Sequence, residues 1–182
     1  MNCNYSYFYS KWNTATLSKY ESIFQFIKIP YSHIFDFYRY MVIQYIKEFN
    51  IWIFNLHLDP YDKTGDTRKK QITYILNIIN KISNFKRSIL LGDFNTLNLK
   101  DYSDKKLDYM YKYEPEFLSN NDLGDIPKYF IDSLSINNII NPETSMYKKR
   151  VDYIFISKDL PFHKSYIIPF STSDHLPVII DL

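Results

Sequence analysis

The chain has 182 residues, a hydrophobic content of 46% and a formal net charge of +2 at pH 7, which predicts one domain with a sizeable core. From these totals alone no basic face for nucleic acid can be inferred, and a substrate with phosphates remains allowed. Its single cysteine, Cys3, excludes an intramolecular disulfide and favours an intracellular protein, cytoplasmic or nuclear. No apolar run approaches the ~18 residues of a membrane span and no signal peptide begins the chain, so we expect a soluble protein without a transmembrane segment.

The first third of the chain predicts β-strands. Residues 14–19 alternate in polarity and residues 21–29 are rich in isoleucine and phenylalanine, which indicates two short strands. Residues 37–44 and 51–58 carry mostly β-branched and aromatic side chains on either side of a polar segment, a pattern typical of a hairpin. A helix over residues 35–45 is the alternative interpretation.

A helix follows these strands. Residues 59–65 have the composition of a loop, and Asp66 or Thr67 can cap what comes next. Helical spacing of apolar residues then predicts a helix over residues 67–83, with its apolar face formed by Ile72, Ile75, Leu76, Ile79 and Ile82. The order strand, helix, strand indicates an α/β fold.

The next strand ends in a group of polar residues. Residues 88–91 form a short apolar run that predicts a strand buried on both faces. Gly92 lets the backbone or a ligand approach closely. If the strand continues, Asp93 and Asn95 point to the same side and suit a phosphate with a divalent cation. The alternative is an ordinary Asx turn at the strand end.

The second half of the chain is less regular. Residues 98–130 read as a tyrosine-rich surface loop with a helical turn or two. Residues 150–156 predict a strand, and residues 178–182 predict a closing strand. We find no internal repeat and no linker, and therefore expect a single domain over residues 1–182.

Polar residues that can carry chemistry recur at four predicted strand ends; they are Asn55, His57, Asp93, Asn95, Asp152, Asp174 and His175. In their order and context they resemble the motifs of the endonuclease/exonuclease/phosphatase superfamily, the DNase I-like hydrolases. The matching segments are 92–95 (GDFN), 150–155 (RVDYIF), 173–178 (SDHLPV), 55–59 (NLHLD, with Arg68 and Gln71 behind it) and 15–20 (ATLSKY).

The resemblance implies an α/β (α+β) fold, a two-sheet DNase I-like sandwich flanked by helices with its site at the top edge. It covers about the C-terminal two-thirds of the family domain. The family's early asparagine and its metal-ligating glutamate have no counterpart, since Glu21 is in the wrong place. The resemblance therefore implies an N-terminally incomplete domain or fragment, and a complementing N-terminal chain as its partner.

The resemblance also implies the roles of the site residues. His175 would be the general base or a phosphate ligand, and Asp152 would orient its ring. The implied catalytic residues are His57, Asp93, Asn95, Asp152 and His175; the implied ligands of Mg2+ or Mn2+ are Asp93, Asn95 and Asp174; the implied substrate-binding residues are Asn55, His57 and Asn95.

Two functions follow as hypotheses. The first is metal-dependent hydrolysis of a phosphoester, as a phosphodiesterase, nuclease or phosphatase, provided that the missing glutamate is supplied. Its substrate would be a nucleic acid, a phosphoinositide or a phospholipid headgroup. The second is a catalytically inactive remnant that binds a phosphorylated ligand or a protein partner.

Overall fold

The computed structural model describes residues 6–9, 14–32, 38–118, 121–170 and 172–182. The strands are β1 (Ser6–Tyr9), β2 (Ala15–Ser18), β3 (Ser22–Ile29), β4 (Arg39–Ile46), β5 (Ile51–His57), β6 (Ser88–Asp93), β7 (Phe130–Asp132), β8 (Asp152–Ser157), β9 (Lys164–Ile167) and β10 (Val178–Asp181). The helices are α1 (Asp66–Ser83), α2 (Asp104–Tyr113) and α3 (Ile126–Tyr129). None of the described helices is long and apolar enough to span a membrane.

A mixed six-stranded sheet is the centre of the fold, in the order β3-β4-β5-β6-β8-β7. The predicted hairpin is confirmed, because β4 and β5 pair antiparallel across a tight turn. The alternative helix over residues 35–45 is wrong from Arg39 onward, and its first residues, 35–37, lie outside the described part. β5 and β6 are parallel and are joined through α1, as a crossover requires.

The two faces of this sheet bury different sets of side chains. Successive residues of a strand point to opposite faces. One face packs against α1; from the central strands it contributes Phe54, Leu56, Leu90, Tyr153 and Phe155. The opposite face contributes Ile51, Ile53, Ile89, Leu91, Ile154 and Ile156. Strand β6 is therefore buried on both sides, as its apolar run predicts.

A second layer covers the face opposite α1. It consists of two separate antiparallel pairs, β1 with β2 and β9 with β10. Val178 and Ile180 of β10 pack against that face, and the side-chain amide of Asn55 on β5 donates to the Ala15 carbonyl of β2 over 2.9 Å. The result is the expected sandwich of two sheet layers, with α1 on the outer face of the six-stranded sheet. The sequence shows no distinct pattern for strands β1, β7 and β9 and does not predict them.

Helix α1 confirms its predicted apolar face but not its predicted cap. Neither Asp66 nor Thr67 caps it, since the helix already starts at Asp66. The cap comes from Asp62, which is buried and accepts from the Arg68 N–H over 2.9 Å through one carboxylate oxygen. The other oxygen accepts from the Gly65 N–H over 3.0 Å. The loop thus folds back so that an aspartate outside the helix binds its first turn.

Residues 98–118 and 121–130, the described part of the segment 98–130, contain more regular structure than their composition predicts. Helix α2 spans 10 residues and begins after Ser103, whose hydroxyl accepts from Lys106 N–H. Its buried Met110 packs with Leu97 and Tyr102 in a small third cluster. The polar and tyrosine-rich face that suggested a loop is the solvent side of an amphipathic helix.

Candidate active site

The register of the sheet places three of the predicted site residues in one row. His57 of β5 lies opposite Asp93 of β6, and Asp93 lies opposite Asp152 of β8. Their strand positions have the same parity as the apolar residues below them, so the row belongs to the face opposite α1. On that face, the three ionisable side chains therefore form the last row at one edge of the sheet, next to the rows of apolar side chains.

Gly92 makes this row possible. A Cβ atom built on Gly92 would lie 1.9 Å from the Leu56 carbonyl oxygen of the neighbouring strand, and the residue has a φ of +131°. No side chain fits at that distance or prefers that backbone conformation. The predicted close approach is thus confirmed, and the partner that approaches is the backbone of β5.

His175 reaches the row from the loop before β10. Its Nδ1 atom lies 2.8 Å from an Asp152 carboxylate oxygen. Burial alone would lower the pKa of His175, but the hydrogen bond and charge of Asp152 outweigh burial and raise it. Burial raises the pKa of Asp152, and hydrogen bonds from Thr144 and His175 act against that rise. With Nδ1 facing Asp152, the Nε2 atom is the one left to exchange a proton with a substrate or water.

Asp93 is the most perturbed carboxylate of the row. Burial, and then the charge of Asp152, raise the pKa of Asp93 to about 7. A carboxyl group with this pKa can both hold and release a proton near neutral pH. The structure brings it within 3.4 Å of the His57 Nε2 atom.

Asn95 does not lie on a continuation of strand β6, as the first of the two sequence interpretations required. Strand β6 ends at Asp93, and Asn95 has a left-handed φ of 47°. Its backbone N–H donates to the Asp93 carboxylate over 2.8 Å, which is the Asx turn that the sequence left as the alternative. One Nδ2 hydrogen of Asn95 goes to the Leu58 carbonyl at 3.0 Å, so the amide oxygen is the better candidate for binding a cation.

His57 is neutral at physiological pH. Burial, then the charges of Arg39 and His175, lower its pKa to about 4. Arg39 begins β4 and is almost completely buried, and its charge acts on both His57 and Asp93. Sequence analysis missed Arg39, because a single arginine at a strand start carries no recognisable pattern.

The other predicted residues lie at the border of this row. Asn55 is one row below His57, where its amide donates to Ala15 and to the Thr16 hydroxyl at 3.1 Å; its substrate-binding role stays a prediction. Asp174 is exposed beside His175, and its carboxylate accepts from the Ser173 hydroxyl over 3.1 Å. Glu21 lies on the protein surface and pairs with Lys47 at 2.6 Å.

Helix α1 supports the loop that follows β5. The Gln71 side-chain oxygen Oε1 accepts from the Asp59 N–H over 3.1 Å, and the Gln71 side-chain Nε2 donates to the Tyr31 backbone carbonyl over 2.8 Å. The buried Arg68 guanidinium donates to the Asp59 carbonyl over 2.8 Å. These contacts explain why Arg68 and Gln71 stand three residues apart on one face of the helix.

Some of the side-chain atoms in and beside the row could bind a divalent cation. Among the described residues, Asp93, Asp152 and His175 offer ligand atoms within 4.8 Å of one another. Since Asp152 is engaged by His175, the oxygen donors that fit a hard cation such as Mg2+ are Asp93 and the Asn95 amide. Asp174 is outside that group, and the predicted set of Asp93, Asn95 and Asp174 stays a prediction.

Solved structures with this architecture exist, whereas no protein-family model and no curated protein matches the chain. Truncated TDP2 of Caenorhabditis elegans matches with a TM-score of 0.61 and 16% identity, over 96% of this chain and 73% of that one. An endonuclease/exonuclease/phosphatase family protein of Leptotrichia buccalis matches with a TM-score of 0.58 and 19% identity, over 100% and 74%. The mannosyl-6-phosphatase Bt3783 of Bacteroides thetaiotaomicron matches with a TM-score of 0.55 and 18% identity, over 87% and 65%.

These likenesses establish the fold. The chain has the DNase I-like α/β sandwich of endonuclease/exonuclease/phosphatase family proteins. It spans 65% and 63% of the lengths of two Bacteroides thetaiotaomicron proteins that it matches.

Proposed function

We propose that this chain belongs to the endonuclease/exonuclease/phosphatase superfamily and hydrolyses a phosphoester with the help of Mg2+ or Mn2+. The observation that carries the proposal is the row of His57, Asp93 and Asp152 with His175 held against Asp152 at 2.8 Å. The structural neighbours include a mannosyl-6-phosphatase, which supports phosphoester chemistry in general.

The geometry suggests a role for each side chain. Asp152 accepts a hydrogen bond from the Nδ1 proton of His175, so that Nε2 can accept a proton from the attacking water while the water oxygen bonds to phosphorus and the ester P–O bond breaks. The protonated ring then returns that proton to the leaving oxygen or to solvent. Asp93 would act as an ionised carboxylate that positions the attacking water and holds the cation; since its pKa is raised to about 7 without metal, cation binding would release its proton near neutral pH. Neutral His57 donates a hydrogen bond to a phosphoryl oxygen as negative charge develops there.

A divalent cation at Asp93 and the Asn95 amide would supply positive charge to the phosphoryl oxygens. A site with so few protein oxygens suits Mg2+, which keeps several waters and also binds substrate phosphates. The nucleic acid, phosphoinositide and phospholipid headgroup considered above are the candidate substrate classes.

The test is hydrolysis of bis-p-nitrophenyl phosphate and p-nitrophenyl phosphate with Mg2+ or Mn2+. We expect His175→Ala to lower kcat by about 10^2 to 10^4-fold, the usual contribution of general acid–base catalysis. His163→Ala is the matched control, because His163 is an exposed histidine on the surface before β9. Equal rates for the two variants would contradict the assigned role of His175. No turnover by the wild type, together with saturable phosphate binding, would favour the non-catalytic alternative.

A further inference from the structure

The buried hydroxyl of Thr144 lies at the start of β8. It accepts from the Val151 N–H over 3.0 Å and from the Asp152 N–H over 3.1 Å. A hydroxyl oxygen has two acceptor positions, and both are thereby filled from the two residues that lead into the strand. The backbone that carries the Asp152 carboxylate is thus fixed by one side chain.

The backbone of the same segment holds the loop that carries His175. The Thr144 carbonyl accepts from the Leu176 N–H over 2.8 Å, and the Met146 N–H donates to the Asp174 carbonyl over 2.8 Å. Between these two bonds, Ser145 and His175 form an antiparallel bridge. Residues 144–146 therefore act as a short strand beside the His175 loop.

The segment is itself anchored in the interior. The Thr144 N–H donates to the Lys149 carbonyl over 3.0 Å, which closes a tight loop. The Lys149 side chain is almost completely buried and pairs with Glu114 at 2.7 Å. Thr144 is consequently anchored between the start of β8 and the loop that carries His175, which are separated in sequence.

We propose that Thr144 is a positioning residue for the His175–Asp152 pair: its hydroxyl sets the Asp152 backbone and its carbonyl sets the His175 loop, so that the two side chains meet. Its catalytic meaning rests on the proposed function, whereas the positioning itself does not.

Three variants test this role. Thr144→Val keeps the shape of the side chain and removes the hydroxyl, while Thr144→Ser keeps the hydroxyl and removes the methyl group. Ser157→Ala is the matched control at the other end of β8, where a buried hydroxyl accepts from the Ser88 N–H over 2.9 Å. All three are compared at equal fraction folded, so that lost stability alone cannot explain a difference.

The first readout needs no activity. Long-range 1H–15N spectra of the four histidine rings show which ring nitrogen carries the proton, and His175→Gln assigns the His175 signal. At alkaline pH, where the ring is neutral, we expect His175 to carry its proton on Nδ1 in the wild type, Thr144→Ser and Ser157→Ala. We expect Thr144→Val to shift towards the Nε2 form. An unchanged Nδ1 form in Thr144→Val, or its absence in the wild type, would overturn the inference.

The second readout is kcat with the chromogenic phosphoesters. Because a displacement of about 1 Å near the reacting groups can cost ~10^2-fold, we expect a fall of that order in Thr144→Val, recovery in Thr144→Ser and little change in Ser157→Ala. A wild type without activity would contradict the proposed function only, since the tautomer measurement still decides the role of Thr144. If the wild type is active and Thr144→Val has the same kcat, the catalytic meaning of the positioning is overturned.

Discussion

At the scale of single residues, the site depends on a close approach of two strands at Gly92. The Leu56 carbonyl occupies the space that a side chain would need. This contact brings β5 and β6 together directly below His57 and Asp93, which lie opposite each other one residue further on. The geometry of the row therefore depends on the absence of a side chain at position 92.

We predict that Gly92→Ala lowers the free energy of unfolding by more than about 4 kcal/mol, because the added Cβ meets backbone and the φ of +131° strains any L side chain. Gly124→Ala is the control: its Cβ would lie 3.2 Å from an Ile72 methyl group and its φ is +57°, so we expect a loss of about 1–2 kcal/mol. Urea denaturation measures both, and similar losses would contradict the reasoning.

Asp93 makes a second residue-scale prediction, on pH. Burial raises its pKa from 3.8 to about 7 in the folded protein. The stabilisation from this group is complete below about pH 4 and is lost as the pH rises towards about 7, because ionising Asp93 then favours the unfolded chain. We therefore expect metal-free Asp93→Asn to gain stability relative to the wild type across this window.

Urea unfolding in EDTA at several pH values tests the Asp93 prediction. His57, whose pKa is lowered to about 4, changes stability with the opposite sign over part of the window. Because His57 lies 3.4 Å from Asp93, this effect does not cancel between the two proteins, and the comparison is therefore made with His57→Gln in both of them. A difference that stays constant between about pH 4 and about pH 7 would show that Asp93 does not have a raised pKa.

At the scale of elements, the first turn of α1 connects the helix to the site. Asp62 binds the helix start, and Arg68 in the first turn and Gln71 in the second bind the backbone of Asp59. Asp59 is two residues beyond His57, so the position of the helix and the position of the β5 end are set together. Loss of the cap should therefore affect the site as well as the helix.

We predict that Asp62→Ala costs about 1–2 kcal/mol of stability, the usual loss for a helix cap, whereas Asp66→Ala costs less than about 0.5 kcal/mol. The difference arises because Asp62 is buried and accepts from backbone N–H groups of the helix start. Thermal unfolding of the two variants measures it. A larger loss for Asp66→Ala would mean that the residue expected from sequence is the actual cap.

At the scale of the whole molecule, the two layers differ in how extensively their strands are paired and packed. The six-stranded sheet is covered by α1 and has the larger of the apolar clusters. The opposite layer consists of two separate two-stranded sheets among the described residues, and an isolated strand pair is only marginally stable by itself. His175 is held just before one of these pairs, so part of the site lies on the less cohesive layer.

We predict that native-state hydrogen exchange separates these layers. Amides of β5, β6 and β8 should exchange only with global unfolding, whereas those of the β1–β2 and β9–β10 pairs should exchange through smaller openings with lower free energies. Mass spectrometry of peptic peptides resolves the two groups. Equal protection in β6 and β10 would show instead that the sandwich opens as one unit.

Much of this architecture follows from local patterns. The spacing of isoleucines along residues 72–82 predicts α1, because a helix with one buried face repeats its apolar residues every three to four positions. The short apolar run before Gly92 predicts a strand that is buried on both faces. The polar residues at the strand ends, through their resemblance to the motifs of a known superfamily, predict the fold and the members of the site. These features are encoded within a few neighbouring residues.

Only the tertiary structure decided how those members meet. The pairing of Asp152 with His175 joins positions 23 residues apart, and the cap from Asp62 depends on how a loop folds back. Strand register, and the burial that raises the pKa of Asp93 and lowers that of His57, arise from contacts between segments distant along the chain. Local pattern contains no record of such contacts, which is why Thr144 and Arg39 emerged only from the folded protein.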